Sequence, residues 1–471
     1  MRLCVMCSVF CLLCSFASAQ WEPDVRLTND TATTYLANPN NHPLCASGDS
    51  VYVLLTDDRT GVFQVYFTRS LDAGTTWDTA VCLSGDSADV SSPALAASGA
   101  AIYIAWPTWT SRAIKCRRST DAGTTWSDED TLVASTAELG DASLAAEGNT
   151  VGLAWGDGRD GNYNTEVYLK RSTDGGLTWG PDTRLTFSPD TIDKEPCLAI
   201  AGNSWHLAWT EMSWSGFHAR TWYQRSTDGG ASWQTPSPLT LDTTSQSQPM
   251  VAVVGSNVHA CWSDGRPGGY GIWYRGSTDN GATWNAERYL TDTTYGSDYP
   301  CIAAAGGNVH MAFRTWPAGQ FFISYCGSTD NGQTWSAETT LTAAAGLGTA
   351  AITAAGSIAH LVLYDNRDGN QEIYYKRNVT AGGVEETTND APSDRGRRGQ
   401  RGTLNPGATI ACGVLNLQSG IALLDVSGRK ALDLHAGTND VSRLAPGVYF
   451  FVRAASCKLS AVNCRKVVIQ R

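Results

Sequence analysis

One nine-residue phrase recurs six times along this chain, and it dictates most of what the chain can fold into. It reads RSLDAGTTW ending at Trp77, RSTDAGTTW at Trp126, RSTDGGLTW at Trp179, RSTDGGASW at Trp233, GSTDNGATW at Trp284 and GSTDNGQTW at Trp335. The steps from Trp to Trp are 49, 53, 54, 51 and 51 residues. Repetition at a near-constant period of this length marks units that bury their apolar faces only against their neighbours. The rest of each unit repeats too. After each Trp comes a short segment, often ending in Leu-Thr as at Leu185-Thr186, Leu239-Thr240, Leu290-Thr291 and Leu341-Thr342. Apolar runs such as EPCLAIAG and AIYIAW follow, then a Gly-rich turn and an alternating run such as EVYLKRS. That makes four short strands per unit, the arithmetic of a β-propeller blade.

The blade count follows from the two ends of the array. Beyond Trp335 the runs AAITAAG, AHLVLY and EIYYKRN supply three strands of a further unit, but the phrase fails at Asn378-Val379-Thr380. The segment from Trp21 to Thr28 reads WEPDVRLT and matches WGPDTRLT at Trp179–Thr186. It is a fourth strand with no preceding three. Closing the ring with it gives six complete blades and a seventh shared by both ends, and removes the open sheet edges. The expected class is therefore all-β: a seven-bladed β-propeller followed by a small Ig-like β-sandwich.

The phrase resembles the Asp box of the sialidase superfamily, also called the BNR repeat. The resemblance covers nearly all of 21–380. It implies a turn between the third and outer strands of each blade. Asp72, Asp121, Asp174, Asp228, Asp279 and Asp330 are the expected structural acceptors of backbone N–H bonds there. The glycine two residues later tolerates positive φ, and the Trp packs between blades. The resemblance also implies that a ligand would sit on the face opposite the boxes. It fixes fold more firmly than activity, since the same repeats serve proteins with other tasks.

On that opposite face lie the turns between second and third strands. Four of them share D-x-R-x-G, which makes Arg59, Arg159, Arg266 and Arg367 candidate ligand-binding residues together with Trp109, Trp214 and Trp316 in neighbouring turns. Guanidinium forks suit carboxylates and aromatic faces suit sugar rings. The same pattern also reads as a local salt bridge that closes each turn. Trp106, Trp155, Trp209, Trp262 and Phe313, which end second strands, read either as sugar platforms or as packing between blades. A catalytic sialidase resembling the family would need an arginine triad, a Tyr–Glu pair, an Asp and a Phe/Tyr-Arg-Ile-Pro motif. The motif is absent, Arg26 sits in the closing strand, and no catalytic residue is assigned. The expected function is a sialidase-like propeller that binds glycans or surface ligands. An exo-acting sialidase or related glycoside hydrolase is the alternative, and a structural surface protein is the third reading.

Charge and targeting bound the partners. The formal net charge of −11 excludes a nucleic-acid binder, which needs a cationic surface. Arg2, the apolar run Leu3–Phe16 and Ala17-Ser18-Ala19 form a secretory signal over residues 1–19, so the four cysteines within it are given no function. No later apolar run is of membrane length, so no transmembrane segment is expected in the mature chain. The propeller is placed at 20–383, a polar linker at 384–402 and a β-sandwich at 403–471. That last segment resembles the sorting domain of type IX secretion cargo in Asn405-Pro406, Asp425, Gly428-Arg429, Gly447-Val448-Tyr449 and Lys466-Val467-Val468. The resemblance implies secretion or attachment at the outer cell surface, with outer-membrane secretion machinery as partner. Cys457 and Cys464 flank a short loop between two antiparallel strands and form a candidate disulfide. No cofactor and no metal are expected.

Overall fold

The computed structural model describes residues 21–379 apart from 30–31, 86–89, 162–163, 214–217, 243, 267–268 and 343–347, together with seven strands between 409 and 469. The chain divides into two units, residues 1–380 and 381–471. In the first, seven antiparallel sheets form a seven-bladed β-propeller. Blade 3 is representative: Leu139–Glu147, Thr150–Asp157, Glu166–Ser172 and Thr183–Arg184 pair in order from the first, innermost strand to the outer one. Blades 1 and 2 precede it with second strands Ser50–Asp57 and Ala101–Thr108. Blades 4 to 7 follow with second strands Ser204–Ser213, Asn257–Asp264, Asn308–Thr315 and Ile358–Asp365.

The ring closes as the sequence match implies. Val25–Arg26 pairs with the third strand of blade 7, Glu372–Val379, with Val25 opposite Tyr375 and Arg26 opposite Tyr374. The closing strand reproduces the contacts of its look-alike in blade 3. Arg26 Nη2 donates to the buried Glu372 at 2.6 Å, as Arg184 Nη2 does to the buried Glu166 at 2.6 Å. Thr28 and Thr186 each donate to the same carboxylate as their arginine.

The boxes are hydrogen-bonded turns. In blade 3, Asp174 Oδ1 accepts from the Leu177 and Thr178 amides at 3.1 and 2.9 Å and from Ser172 Oγ at 2.7 Å. These bonds hold its carboxyl well below the ordinary value, at about 2. Each box also donates an amide to the turn between first and second strands, for example Gly175 N to Asn149 O at 2.8 Å. Boxes and first-to-second turns therefore share one face.

Between blades, four of the six box tryptophans, and Trp21 in the closing strand, meet a ring on the third strand of the preceding blade. Trp77 packs edge-on against Tyr375, Trp126 against Phe67, Trp284 against Tyr223, Trp335 against Tyr274 and Trp21 against Tyr325, with centroids 4.8 to 5.0 Å apart. In blades 4 to 7 the third-strand tyrosine also bonds a buried histidine on the second strand. His206, His259, His310 and His360 Nδ1 lie 2.6 to 2.8 Å from the hydroxyls of Tyr223, Tyr274, Tyr325 and Tyr375.

In the second unit the backbone forms a five-stranded sheet and a two-stranded sheet. The linker and the Cys457–Cys464 pair lie outside the described residues. Among the described residues no helix is long and apolar enough to cross a membrane.

Candidate functional site at the mouth of the axial channel

The four D-x-R-x-G arginines stand at equivalent positions in blades 1, 3, 5 and 7, and each is clamped by its own turn. Arg59, Arg159, Arg266 and Arg367 pair at 2.5 to 2.9 Å with Asp57, Asp157, Asp264 and Asp365, all of them buried. Three take a second acid from the outer strand region: Asp182 for Arg159, Glu287 for Arg266 and Asp24 for Arg367. Each guanidinium also lies over an aromatic ring, at 4.2 Å for Arg59 on Tyr66 and 3.8 Å for Arg266 on Trp273. The structure does not bring the four together on one carboxylate; each pairs with a different aspartate. Of the tryptophans, Trp109 is exposed, Trp316 packs against Phe321 at 6.3 Å, and Trp214 lies outside the described residues. The strand-end rings Trp106, Trp155, Trp209, Trp262 and Phe313 are buried, so of their two readings the structure supports packing.

The same face carries a different constellation nearer the axis. The first strands of blades 3 to 6 each contain a bulge, where the pairing skips from Leu139 to Ala142, Lys194 to Cys197, Ser247 to Met250 and Asp298 to Cys301. A bulge gives the strand one residue too many and turns a side chain out of the ladder. In blades 4 to 6 the turned residue precedes proline and has positive φ, Glu195 at 56°, Gln248 at 56° and Tyr299 at 48°, and in blades 1 and 2 the residue before the equivalent proline, at the entry to the first strand, does the same, His42 at 52° and Ser92 at 37°. Such conformations are strained for non-glycine residues, doubly so before proline, and persist only where the fold imposes them.

The bulges link blade to blade. Glu195 Oε2 accepts from the Gln248 amide at 3.1 Å, and Gln248 Oε1 accepts from the Tyr299 amide at 2.9 Å. A 3-10 turn at Pro39–Asn41 sits on the axis, touching the first strands of blades 3 to 7. It plugs the channel by donating to bulge carbonyls: Asn40 Nδ2 to Pro249 O at 2.6 Å and Asn41 Nδ2 to Ser92 O at 2.7 Å. Around this floor stand groups of mixed chemistry. Burial raises the Asp141 carboxyl above its ordinary value; the Glu195 charge adds to that, against hydrogen bonds from Ser92 and Asn38. Lys194 Nζ lies 3.5 Å from Glu195, whose other oxygen accepts from Thr210 at 2.8 Å. Arg314 is held by Asp298 through two bonds of 2.8 and 2.7 Å, with Tyr299 and Phe321 over it at 4.5 and 4.8 Å. Tyr35 meets Tyr364 at 6.0 Å on the remaining arc.

The sequence reading missed this ring, although the signal was present. The strings HPLC, SPAL, EPCL, QPMV and YPCI each place a polar or aromatic residue before proline at the start of an inner strand. Among the described residues no cluster of three His, Cys, Asp or Glu side chains is placed to hold a metal ion.

Residues 148–379 match the family of the BNR repeat-like domain. Among solved structures, a Hadza microbial sialidase is 15% identical, with a TM-score of 0.45 over 70% of this chain and 73% of that one. A protein of unknown function from Dyadobacter fermentans is 15% identical, with a TM-score of 0.48 over 77% of this chain and 100% of that one. An α-L-arabinofuranosidase from Fusarium graminearum is 15% identical, with a TM-score of 0.41 over 59% and 89%. No curated protein matches the sequence significantly.

Proposed function

We propose that this sialidase-like propeller binds a glycan at the mouth of its axial channel, on the face opposite the Asp boxes. The observation that carries the proposal is the ring of non-repeating side chains on repeated, strained bulges. Backbone strain repeated around a ring, each time presenting a different hydrogen-bonding group, is how a scaffold assembles a polyhydroxyl-binding surface. Asp141, Glu195 and Gln248 supply acceptors, Lys194 and Arg314 supply donors, and Tyr35, Tyr299 and Tyr364 supply ring faces for a sugar. The D-x-R-x-G arginines act as turn locks that keep the rim in place.

The test is a glycan array followed by titration of the best hit. Asp141→Asn and Lys194→Ala should each weaken binding at least tenfold with little change in melting temperature. Asp174→Ala, in a box on the other face, should lower the melting temperature and leave binding intact. The absence of any hit, or equal affinity for the Asp141 and Lys194 variants, would sink the proposal.

A hydrolytic reading has one specific support: a carboxyl with raised pKa at Asp141 within the electrostatic reach of a second carboxylate, Glu195. Such a pair can divide the roles of general acid and base. Turnover of fluorogenic exo-glycosides, lost in Asp141→Asn, would establish it. For location, the signal at 1–19 and the tail from 403 support export through an outer membrane. Recovery of the protein only inside the cell would refute that.

A further inference from the structure

The seven blades provide internal controls for one another, and one interface departs from the rest. On each third strand, the residue three positions before the box serine (Asn378 in blade 7) faces the next blade at the level of its box Trp. It is Phe67, Cys116, Leu169, Tyr223, Tyr274, Tyr325 and Tyr375 in blades 1 to 7. Two blades therefore lack the ring. In blade 3 the loss is made good: Trp205 of blade 4, fully buried, leans across, so that a Cβ on Gly152 would lie 2.6 Å from its ring. In blade 2 it is not. A Cβ on Gly176 of the next box would lie 3.2 Å from the Tyr103 ring, yet a cavity of about 330 Å³ remains beside Cys116, walled by Trp179, Leu177, Leu132 and Leu144.

The cavity also holds unused donors. Two residues after the ring position, Arg69, Arg171, Arg225 and Arg377 each reach across and donate to a carbonyl of the next box, Ala122, Gly229, Asn280 and Ala73. Their counterpart Arg118 lines the cavity, and its guanidinium has no hydrogen-bond or ion-pair partner among the described residues. Its strand neighbour Arg117 points to the opposite face, where it donates through Nη1 to Ser127 O at 3.1 Å and its Nε, closed to solvent, has no partner. An unpaired buried donor is costly and marks a place where a partner is missing. Three acids stand at the mouth, Asp128, Glu129 and Asp130; Glu129 faces Lys115 at 3.6 Å and Asp130 accepts from the Thr131 amide. They favour ligands of low charge over polyanions. Burial pushes the Cys116 thiol up to about 12, so it is a wall of the slot rather than a nucleophile.

We infer that the slot between blades 2 and 3 is a second binding site, which takes a planar six-membered ring bearing one carboxylate. The ring replaces the missing aromatic side chain against Trp179, and the carboxylate meets Arg118. The site lies on the box side of the propeller and is independent of the channel mouth.

The full chain should be titrated with 4-hydroxyphenylacetate, phenol and galacturonate, followed by ligand-observed NMR and by tryptophan fluorescence. Saturable binding of 4-hydroxyphenylacetate is expected, with phenol and galacturonate at least tenfold weaker. Cys116→Tyr restores the ring found in blades 4 to 7 and should abolish binding. Arg118→Gln should weaken it about tenfold without a change in melting temperature, which keeps the test valid if the tyrosine variant folds poorly. Failure of all three probes to bind would overturn the site, as would binding unaffected by Cys116→Tyr or Arg118→Gln. Tighter binding of galacturonate would overturn the planar ring.

Discussion

Deleting residues 21–28 will convert the closed ring into an aggregating species. These residues carry the outer strand of blade 7, and without them the edge of Glu372–Val379 is left open. An uncovered edge is a template for pairing between chains. The loss is more than backbone. Trp21 leaves the face of Tyr325, Glu22 leaves Arg377 at 2.6 Å, and Asp24 leaves Arg367 and Lys376. The sharpest single contact is Arg26 with Glu372, because the carboxylate is fully buried and the guanidinium is 30% exposed. Removing one member of such a pair leaves a buried charge without its counter-ion, so Arg26→Ala should cost about 3 kcal/mol, the lower end of the range for buried pairs. Light scattering and denaturant melts decide the matter. A monomeric deletion variant with the parent melting temperature would mean that the latch is not needed.

Acid will unfold the propeller well above the range in which its carboxylates titrate. Burial lowers His42, His206, His259, His310 and His360 from their ordinary value to about 4. In the unfolded chain they titrate near 6.5. A folded value below the unfolded one gives stability that is complete above about pH 6.5 and is lost as pH falls toward 4. Asp193 works the other way, since burial raises its carboxyl to about 8 and the folded state holds that proton throughout this window. Five histidines against this aspartate leave at most about four protons taken up on unfolding, or on the order of 5 kcal/mol per pH unit at the steepest, and the raised Asp141 and Asp298 carboxyls act in the same direction as Asp193. Two such units remove about 10 kcal/mol, which domains in the lower half of the ordinary range of roughly 5–15 kcal/mol do not survive. Urea melts at pH 7.5, 6 and 5 should show a steep fall in the midpoint. The double substitution His259→Tyr with Tyr274→Phe copies the blade 1 pair, Tyr52 and Phe67, and should reduce proton uptake by about one. A midpoint independent of pH from 7.5 to 5 would contradict the mechanism.

Repetition made the fold legible, and the lack of it hid the site. The boxes announce themselves because turn chemistry demands Ser, Asp, Gly and Trp at fixed offsets, and the match of Trp21–Thr28 to Trp179–Thr186 located the closure. The histidine–tyrosine pairs were equally present, 15 residues apart in blades 5 to 7, but a single buried histidine carries no local pattern. The bulges were invisible for a stronger reason. Local preference pushes a residue before proline to extended backbone, and tertiary packing overrides it at His42, Ser92, Glu195, Gln248 and Tyr299. The D-x-R-x-G turns drew attention as repeated charge. Whether an arginine faces a ligand or its own turn is decided by the burial of the aspartate two residues earlier, which a sequence does not display.

Five unlike side chains occupy one backbone position in this single molecule, at φ between 37° and 56°. The scaffold is therefore indifferent to what stands there: imidazole, hydroxyl, carboxylate, amide and phenol are all accommodated by the same proline-braced kink. Each blade acts as an independent digit, and the mouth spells a word whose letters change one at a time. Relatives built on the same ring can then diverge in what they hold without re-solving how to fold, and a designer can rewrite the mouth by exchanging residues that the molecule already shows to be interchangeable.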